Sequence, residues 1–233
     1  VISKTWKHTK GKAMNINKKI IFSFDTDPQN CFTEKCPNEL PVAGGSEIVP
    51  HLNYMATFAG FRGASKCAHS PAALWVVETT EEMLQPTGLP FADLTWKPHA
   101  VPGTFGFEFI EGLPKPSDYD LVIWKGVEPD MHPYGACYQD GKMSTGLIEW
   151  MIVKGIKIVL LGGLAYDYCV KTTAIEMLAA GFKVILYTPA TRGIAEETMN
   201  SATVELMRAG ADICNDPISL ERRIEELSTQ IAQ

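Results

Sequence analysis

Residues 156–187 read IKIVLLGGLAYDYCVKTTAIEMLAAGFKVILY. Ile156 to Leu161 is apolar apart from Lys157, the near-continuous run required of a strand buried on both faces. Two glycines follow, then a helical pattern over 167–180 that stops at Gly181, a residue type suited to a helix end. Phe182 to Tyr187 is a second apolar run. Strand, helix and strand in that order imply a right-handed crossover between parallel neighbours.

The same alternation continues in both directions. Upstream, Lys19 to Phe24 reads as a buried strand ending at Asp25 to Asp27. Residues 46–59 have helical spacing, with Ser46 as N-cap and Glu47 in the first turn. Phe61 to Lys66 and Asp120 to Lys125 read as strands, and Ser144 to Lys154 as a helix closed by Gly155. Downstream come a helix over 195–209 closed by Gly210, a short strand Ala211 to Cys214, and a helix from Pro217, a residue suited to a first turn. Residues 67–118 are rich in Pro, Gly and aromatics and show no clear element, which marks a functional loop region. The fold class expected is α/β: a doubly wound three-layer α/β/α sandwich with a mostly parallel sheet, as one domain over 19–233.

The chain has 233 residues, 45% of them hydrophobic and 21% charged, with a formal net charge of -6. That composition is ordinary for a soluble domain. An acidic balance without a basic, aromatic-laced stripe argues against nucleic acid as a partner, and no apolar run is long enough to span a membrane. The first nineteen residues carry six lysines and no acid. They lack a secretory apolar segment and a transit-peptide pattern, so 1–18 reads as a basic, disordered extension, with Met14 a candidate start of the folded unit. Six cysteines, Cys31, Cys36, Cys67, Cys137, Cys169 and Cys214, are expected as free thiols in the cytoplasm, because a chain of this length needs no staples.

In doubly wound folds, sites form where strands end at their carboxyl edge. Three such ends carry groups that are awkward to bury: Asp27, Lys125 and Cys169. If the strands are adjacent, a carboxylate, an ammonium and a thiol meet. A cation and a helix N-terminus both lower a thiol's pKa, so Lys125 and the helix beginning near Tyr166 would activate Cys169. Asp27 would accept the thiol proton and return it to a leaving group. Backbone N–H groups of the turn would hold an oxyanion. Acyl transfer from an amide is the natural reaction.

Five stretches in order carry a resemblance: DPQNCF (27–32), LPVAGGSEIVP (40–50), WKPHAVPGTFGFEF (96–109), KGVEPDMHPYGAC (125–137) and residues 162–193 around Cys169. From Lys19 to Pro217 the sequence resembles nicotinamidase/pyrazinamidase, in the cysteine-hydrolase branch of the isochorismatase-like superfamily. The resemblance implies the isochorismatase-like hydrolase fold and the same triad, with Asp27 as acid/base, Lys125 as cation and Cys169 as nucleophile. It implies hydrolysis of nicotinamide to nicotinate and ammonia through a Cys169 thioester, in NAD salvage. Phe32 and Trp96 would sandwich the pyridine ring, with Tyr134 and Tyr166 also lining the pocket. Leu164–Ala165 would be a cis peptide, and Ala165 and Cys169 would supply the oxyanion donors. Family members are often oligomeric, which makes a homo-oligomer an open expectation.

The sequence departs from the family at the divalent-metal site. In SKCAHSPAALW (65–75), Cys67 stands at the family's usual aspartate, His69 is kept, and Trp75 falls near the position of the family's second histidine and cannot bind a metal. His99 keeps the last. Three readings stay open: Cys67, His69 and His99 bind a softer ion such as zinc; the metal is lost; or the protein binds without hydrolysing. His51 and His132 read as surface residues, and the glutamates of VETTEE (77–82) as a solvated helix start. Tyr166, beside the oxyanion turn where the family has a small hydroxyl residue, either points outward or narrows the pocket. Alternatives to a nicotinamidase are a cysteine hydrolase for another small amide, such as an N-carbamoyl or ureido compound, and a silent nicotinamide binder.

Overall fold

The computed structural model describes residues 16–139 and 143–233, so the expected extension over 1–18 lies outside the described residues except at Ile16 to Lys18. The alternation of elements is as the apolar runs require: β1 (Ile21–Thr26), α1 (Val49–Ala56), β2 (Phe61–Cys67), β3 (Pro86–Leu89), β4 (Ala92–Leu94), β5 (Leu121–Lys125), α2 (Leu147–Val153), β6 (Ile158–Leu164), α3 (Lys171–Ala179), β7 (Lys183–Arg192), α4 (Glu196–Ala209), β8 (Asp212–Cys214) and α5 (Pro217–Ile231). Six strands form one parallel sheet in the order β5-β2-β1-β6-β7-β8. Strand order reverses between β1 and β6, which makes their carboxyl ends the topological switch point.

Alternating side chains of the central strands feed two cores. Ile158 and Leu160 of β6 and Ile185 and Tyr187 of β7 pack with Leu52 and Met55 of α1 and with Leu220, Ile224 and Leu227 of α5. Val159, Leu161, Val184 and Leu186 face the other way, with Leu147, Met151, Ala174, Met177, Ala202 and Leu206 from α2, α3 and α4. Strict period-two alternation into two apolar layers is what buries both faces of the sheet. No helix among the described residues is long and apolar enough to cross a membrane.

Several boundaries differ from the sequence expectation for local reasons. The expected helix over 46–59 is a 3-10 turn at Gly45–Ile48 followed by α1, because Pro50 has no N–H and is tolerated only in a first turn. The helix expected from Ser144 starts at Leu147, since Gly146 is left-handed with φ +86°. Within 67–118 lies the short antiparallel hairpin of β3 and β4, over a small core of Ala73, Trp75, Ala92 and Trp96. The solvated helix start near Glu78 is a single 3-10 turn, Thr80–Glu82, capped by Thr79.

The two glycines of the opening stretch belong to β6, not to a loop beyond it. Gly163 has φ +121°, and a Cβ there would lie 1.9 Å from the Thr26 carbonyl oxygen across the switch point. Only glycine lets β1 and β6 approach so closely. We predict that Gly163→Ala lowers unfolding free energy by about 3 kcal/mol or more, adding overpacking to backbone strain. Gly181→Ala, at φ +92° with open space around it, should lose only about 1–2 kcal/mol. Urea denaturation of the two variants checks the contrast; equal losses would contradict it.

Candidate active site

Four neighbouring strands, β5, β2, β1 and β6, each deliver one reactive side chain to the carboxyl edge. Lys125 ends β5 and pairs in register with Cys67, which ends β2. Asp27 follows β1 with φ +43°, a left-handed backbone that Asp tolerates better than most residues. Its N–H donates to Ser65 Oγ at 3.2 Å, and the Ser65 hydroxyl donates to Asp27 Oδ1 at 2.6 Å. The Gln29 side chain extends the sheet pairing: Cys67 N–H donates to its Oε1 at 2.8 Å, and its Nε2 donates to the Cys67 carbonyl at 3.0 Å.

Cys169 reaches the same edge by a different device. After β6 and the cis peptide Leu164–Ala165, Tyr166–Val170 forms one π-helical turn before α3. Asp167, itself buried, anchors that turn to the start of α4. Its carboxylate accepts from the N–H groups of Ile194 at 3.1 Å and Ala195 at 3.3 Å, and from Thr198 Oγ1 at 2.5 Å.

The four groups form one buried cluster. Lys125 Nζ lies 3.1 Å from Asp27 Oδ2, 3.5 Å from Cys169 Sγ and 3.1 Å from Cys67 Sγ, and donates to the Pro133 carbonyl at 3.0 Å. Cys67 Sγ in turn donates to Asp27 Oδ2 at 3.5 Å. Asp27 and Lys125 are fully buried. Burial alone would lower the Lys125 pKa; Asp27 and the two sulfurs reverse this and hold the ammonium well above its usual range. Burial, reinforced by the Cys169 hydrogen bond and the Asp27 charge, pushes the Cys67 thiol up. A thiol, a carboxylate and an ammonium in mutual contact supply a nucleophile, a proton carrier and a counter-charge at one point.

A cavity with about 380 Å³ of empty space, part of it open to solvent, is lined in part by Cys169. Phe32, Trp96, Tyr134 and Tyr168 line it, with Cys67, His99 and His132. Trp96 Nε1 donates to the Tyr134 hydroxyl at 3.2 Å, which donates to Asp93 at 2.8 Å. Two expectations are corrected here. Tyr166 does not reach the cavity: its hydroxyl pairs with Thr203 Oγ1 at 2.7 Å and its ring packs in the α3–α4 core. The π turn brings Tyr168 to the cavity instead. His132 is not a surface residue. It is only 7% exposed, stacked on His69 with centroids 4.9 Å apart and lying parallel to Trp96 at 5.8 Å. His51 is half-buried, with its ring edge toward Tyr187.

Beside the thiol cluster, the donor atoms of Cys67, His69 and His99 lie within 4.8 Å of one another. His69 Nδ1 sits 2.9 Å from the Gly126 carbonyl and His99 Nδ1 2.8 Å from the Lys97 carbonyl. A carbonyl can only accept, so each Nδ1 carries the proton and each Nε2 presents a lone pair, the arrangement typical of histidine ligands. His69 Nε2 is buried without a partner. Burial drives His99 down to about 4 and His69 well below its ordinary value, keeping both rings neutral. One sulfur and two neutral imidazoles fit a soft divalent ion with an open position. The Trp75 ring packs 4.9 Å from that of His69.

The isochorismatase domain model matches residues 24–217. The chain belongs to the isochorismatase family. Among its relatives, the nicotinamidase of Acinetobacter baylyi is 28% identical over 189 residues, covering 79% of this chain and 87% of that protein. PnC1 from L. infantum, solved in complex with nicotinate, superposes with a TM-score of 0.74 at 26% identity, covering 86% of this chain and 94% of that one. A pyrazinamidase of Pyrococcus horikoshii, solved in complex with zinc, gives a TM-score of 0.67 at 29% identity over 84% and 99% of the two chains.

Within this family member, the structure brings together Asp27, Lys125 and Cys169, and, sharing Cys67 with that cluster, the donors Cys67, His69 and His99. Sequence reasoning missed His132, Tyr168 and Asp167. The signal for His132 was its setting, between Met131 and Pro133 and two residues before the aromatic Tyr134. The buried histidines also fix a pH response. His99 titrates near 4 in the folded chain against 6.5 ordinarily, so between those values the unfolded state holds the extra proton. Stability of the metal-free protein therefore falls as pH drops through that window, by about 1.4 kcal/mol per pH unit for each such ring, and is flat above it. Denaturant titrations across the window check this, and His99→Phe should lower the slope by one ring's share, leaving those of His69 and His132.

Proposed function

We propose that this chain is a nicotinamidase, hydrolysing nicotinamide to nicotinate and ammonia. The observation that carries the reading is the convergence of Asp27, Lys125 and Cys169 in one buried cluster beneath an aromatic cavity. The Acinetobacter baylyi nicotinamidase and the nicotinate complex of the L. infantum protein support the substrate class. Conversion of nicotinamide to nicotinate returns the ring to NAD salvage. All six cysteines are free, which supports a reducing compartment such as the cytoplasm.

The chemistry follows from the contacts. The aromatic wall, Phe32, Trp96, Tyr134 and Tyr168, takes the pyridine ring and presents the carboxamide to Cys169. Lys125 stabilises the thiolate, and Asp27 accepts its proton. Attack on the carboxamide carbon gives a tetrahedral oxyanion, received by the backbone N–H groups of Ala165 and Cys169. Asp27 protonates the amide nitrogen, ammonia departs, and a thioester remains on Cys169. Water, deprotonated by Asp27, then releases nicotinate and restores the thiol. Cys67, His69 and His99 would hold a divalent ion, with zinc the first candidate by donor softness. When bound, such an ion supplies a Lewis acid at the cavity wall.

The decisive experiment is ammonia release from nicotinamide by the purified chain. Cys169→Ala should lower kcat by a factor on the order of ten thousand, and Trp96→Leu should raise KM far more than it lowers kcat. Wild-type protein without turnover, as isolated and after zinc is restored, would overturn the assignment. Zinc should also bind the chelator-treated chain at one site per molecule by calorimetry and raise its Tm, and His69→Ala should lose both effects. Unchanged zinc binding in His69→Ala would remove the metal proposal and leave the amidase standing.

A further inference from the structure

Cys67 belongs to two groups at once. It lies among the metal-competent donors, and it also lies in the cluster of Asp27 and Cys169, whose ligating atoms are all within 4.8 Å of one another. The Cys67 and Cys169 sulfurs lie within 4.8 Å of one another. One ammonium, Lys125 Nζ, contacts both sulfurs, at 3.1 Å and 3.5 Å. Both line the same cavity, which opens to solvent, and none of Cys31, Cys36, Cys137 or Cys214 does so. Cys67 is backed by a carboxylate, donating to Asp27 Oδ2 at 3.5 Å. Amide hydrolysis has no use for a second thiol in that place.

We propose that Cys67 and Cys169 form a redox-active dithiol, a modification site whose oxidant is a hydroperoxide small enough to enter the cavity. The Cys169 sulfur attacks one peroxide oxygen and the O–O bond breaks. The cysteine becomes a sulfenic acid, and the departing oxygen takes the thiol proton to leave as an alcohol, or as water from hydrogen peroxide. The Cys67 sulfur then attacks the Cys169 sulfur and the S–O bond breaks. Asp27 accepts the Cys67 proton and passes it to the departing hydroxide, giving water. In sum, two thiols and one hydroperoxide give one disulfide, one alcohol and one water; the sulfurs are oxidised and the peroxide reduced.

A solitary sulfenic acid goes on to irreversible sulfinic and sulfonic acids. A thiol beside it diverts it to a bond that thiols can reverse. A disulfide requires the sulfurs to close from within 4.8 Å to the bonding distance of about 2 Å. The disulfide takes out the nucleophile and one metal donor together, so oxidation closes the site reversibly. The inference rests on the thiol geometry and holds whatever amide is hydrolysed.

The test reads the cysteines, not turnover. Reduced, chelator-treated full-length protein is exposed to hydrogen peroxide at a small molar excess, then alkylated with N-ethylmaleimide and analysed by mass spectrometry. The expected result is loss of two hydrogens from the intact mass and a cross-linked peptide joining Cys67 to Cys169, both undone by dithiothreitol. In Cys67→Ser, the cross-link should be absent and Cys169 should gain two or three oxygens. Wild-type protein that adds oxygens at Cys169 while Cys67 remains alkylated would overturn the proposal. So would a disulfide between other cysteines only, or full alkylation of both residues after peroxide. A chain that forms the bond yet releases no ammonia from nicotinamide would keep the dithiol and discard the nicotinamidase reading.

Discussion

An ammonium with no exposed surface sits where four strands end, and the rest of the site is arranged around it. Taking a lysine charge out of water carries an effective penalty of several kcal/mol. Lys125 meets that penalty with a carboxylate at 3.1 Å, a backbone carbonyl at 3.0 Å and two sulfurs. Each partner comes from a different part of the chain: Asp27 from the end of β1, Cys67 from β2, Cys169 from the turn after β6, and Pro133 from the loop after β5. The cluster can exist only when the sheet order is right. The same contacts that let the lysine be buried give the Cys169 sulfur its counter-charge, so fold stability and reactivity draw on one set of interactions.

Bringing four strand ends to one point demands sharp turns. Asp27 and Gly126, each just past its strand, are left-handed, as are Gly163 inside β6 and Ala100 beside His99. Strained or restricted backbone of this kind concentrates where side chains must be aimed at a ligand. The glycines do two jobs. Gly163 lets β1 and β6 close together, and Gly126 makes room for the His69 ring, whose Cε1 would lie 2.3 Å from any added Cβ. The metal-competent histidines and the thiol cluster thus share turns as well as Cys67. A replacement that relaxes one alters the other.

Cys67 stands where the resemblance to nicotinamidases leads one to expect a carboxylate. A carboxylate there would bind a hard or borderline ion and would add a second negative charge near Asp27. A thiol is neutral until it loses its proton, and it is buried enough to resist that loss. It therefore suits the crowded space between Asp27, Lys125 and Cys169, it fits a soft ion, and it brings a second oxidisable sulfur to the nucleophile.

The strand–helix alternation was legible in the sequence because it is written locally. Apolar runs such as Ile156 to Leu161 bury on two faces wherever they lie, and Gly181 and Gly210 stop helices by their own conformational freedom. The triad was legible for the same reason: Asp27, Lys125 and Cys169 each close or follow an apolar run, so the doubly wound topology brings them to one edge. What the sequence left undecided depends on direction and on distant neighbours. Whether Tyr166 or Tyr168 enters the cavity is settled by the π turn, which one hydrogen-bond register decides. His132 read as exposed because nothing nearby in sequence covers it; Trp75, Trp96 and His69, brought in from residues 69–96, do so in space. Cys67 read as a metal donor alone because the pairing of β2 with β5 places Lys125 against it, and that pairing belongs to the sheet, not to either strand.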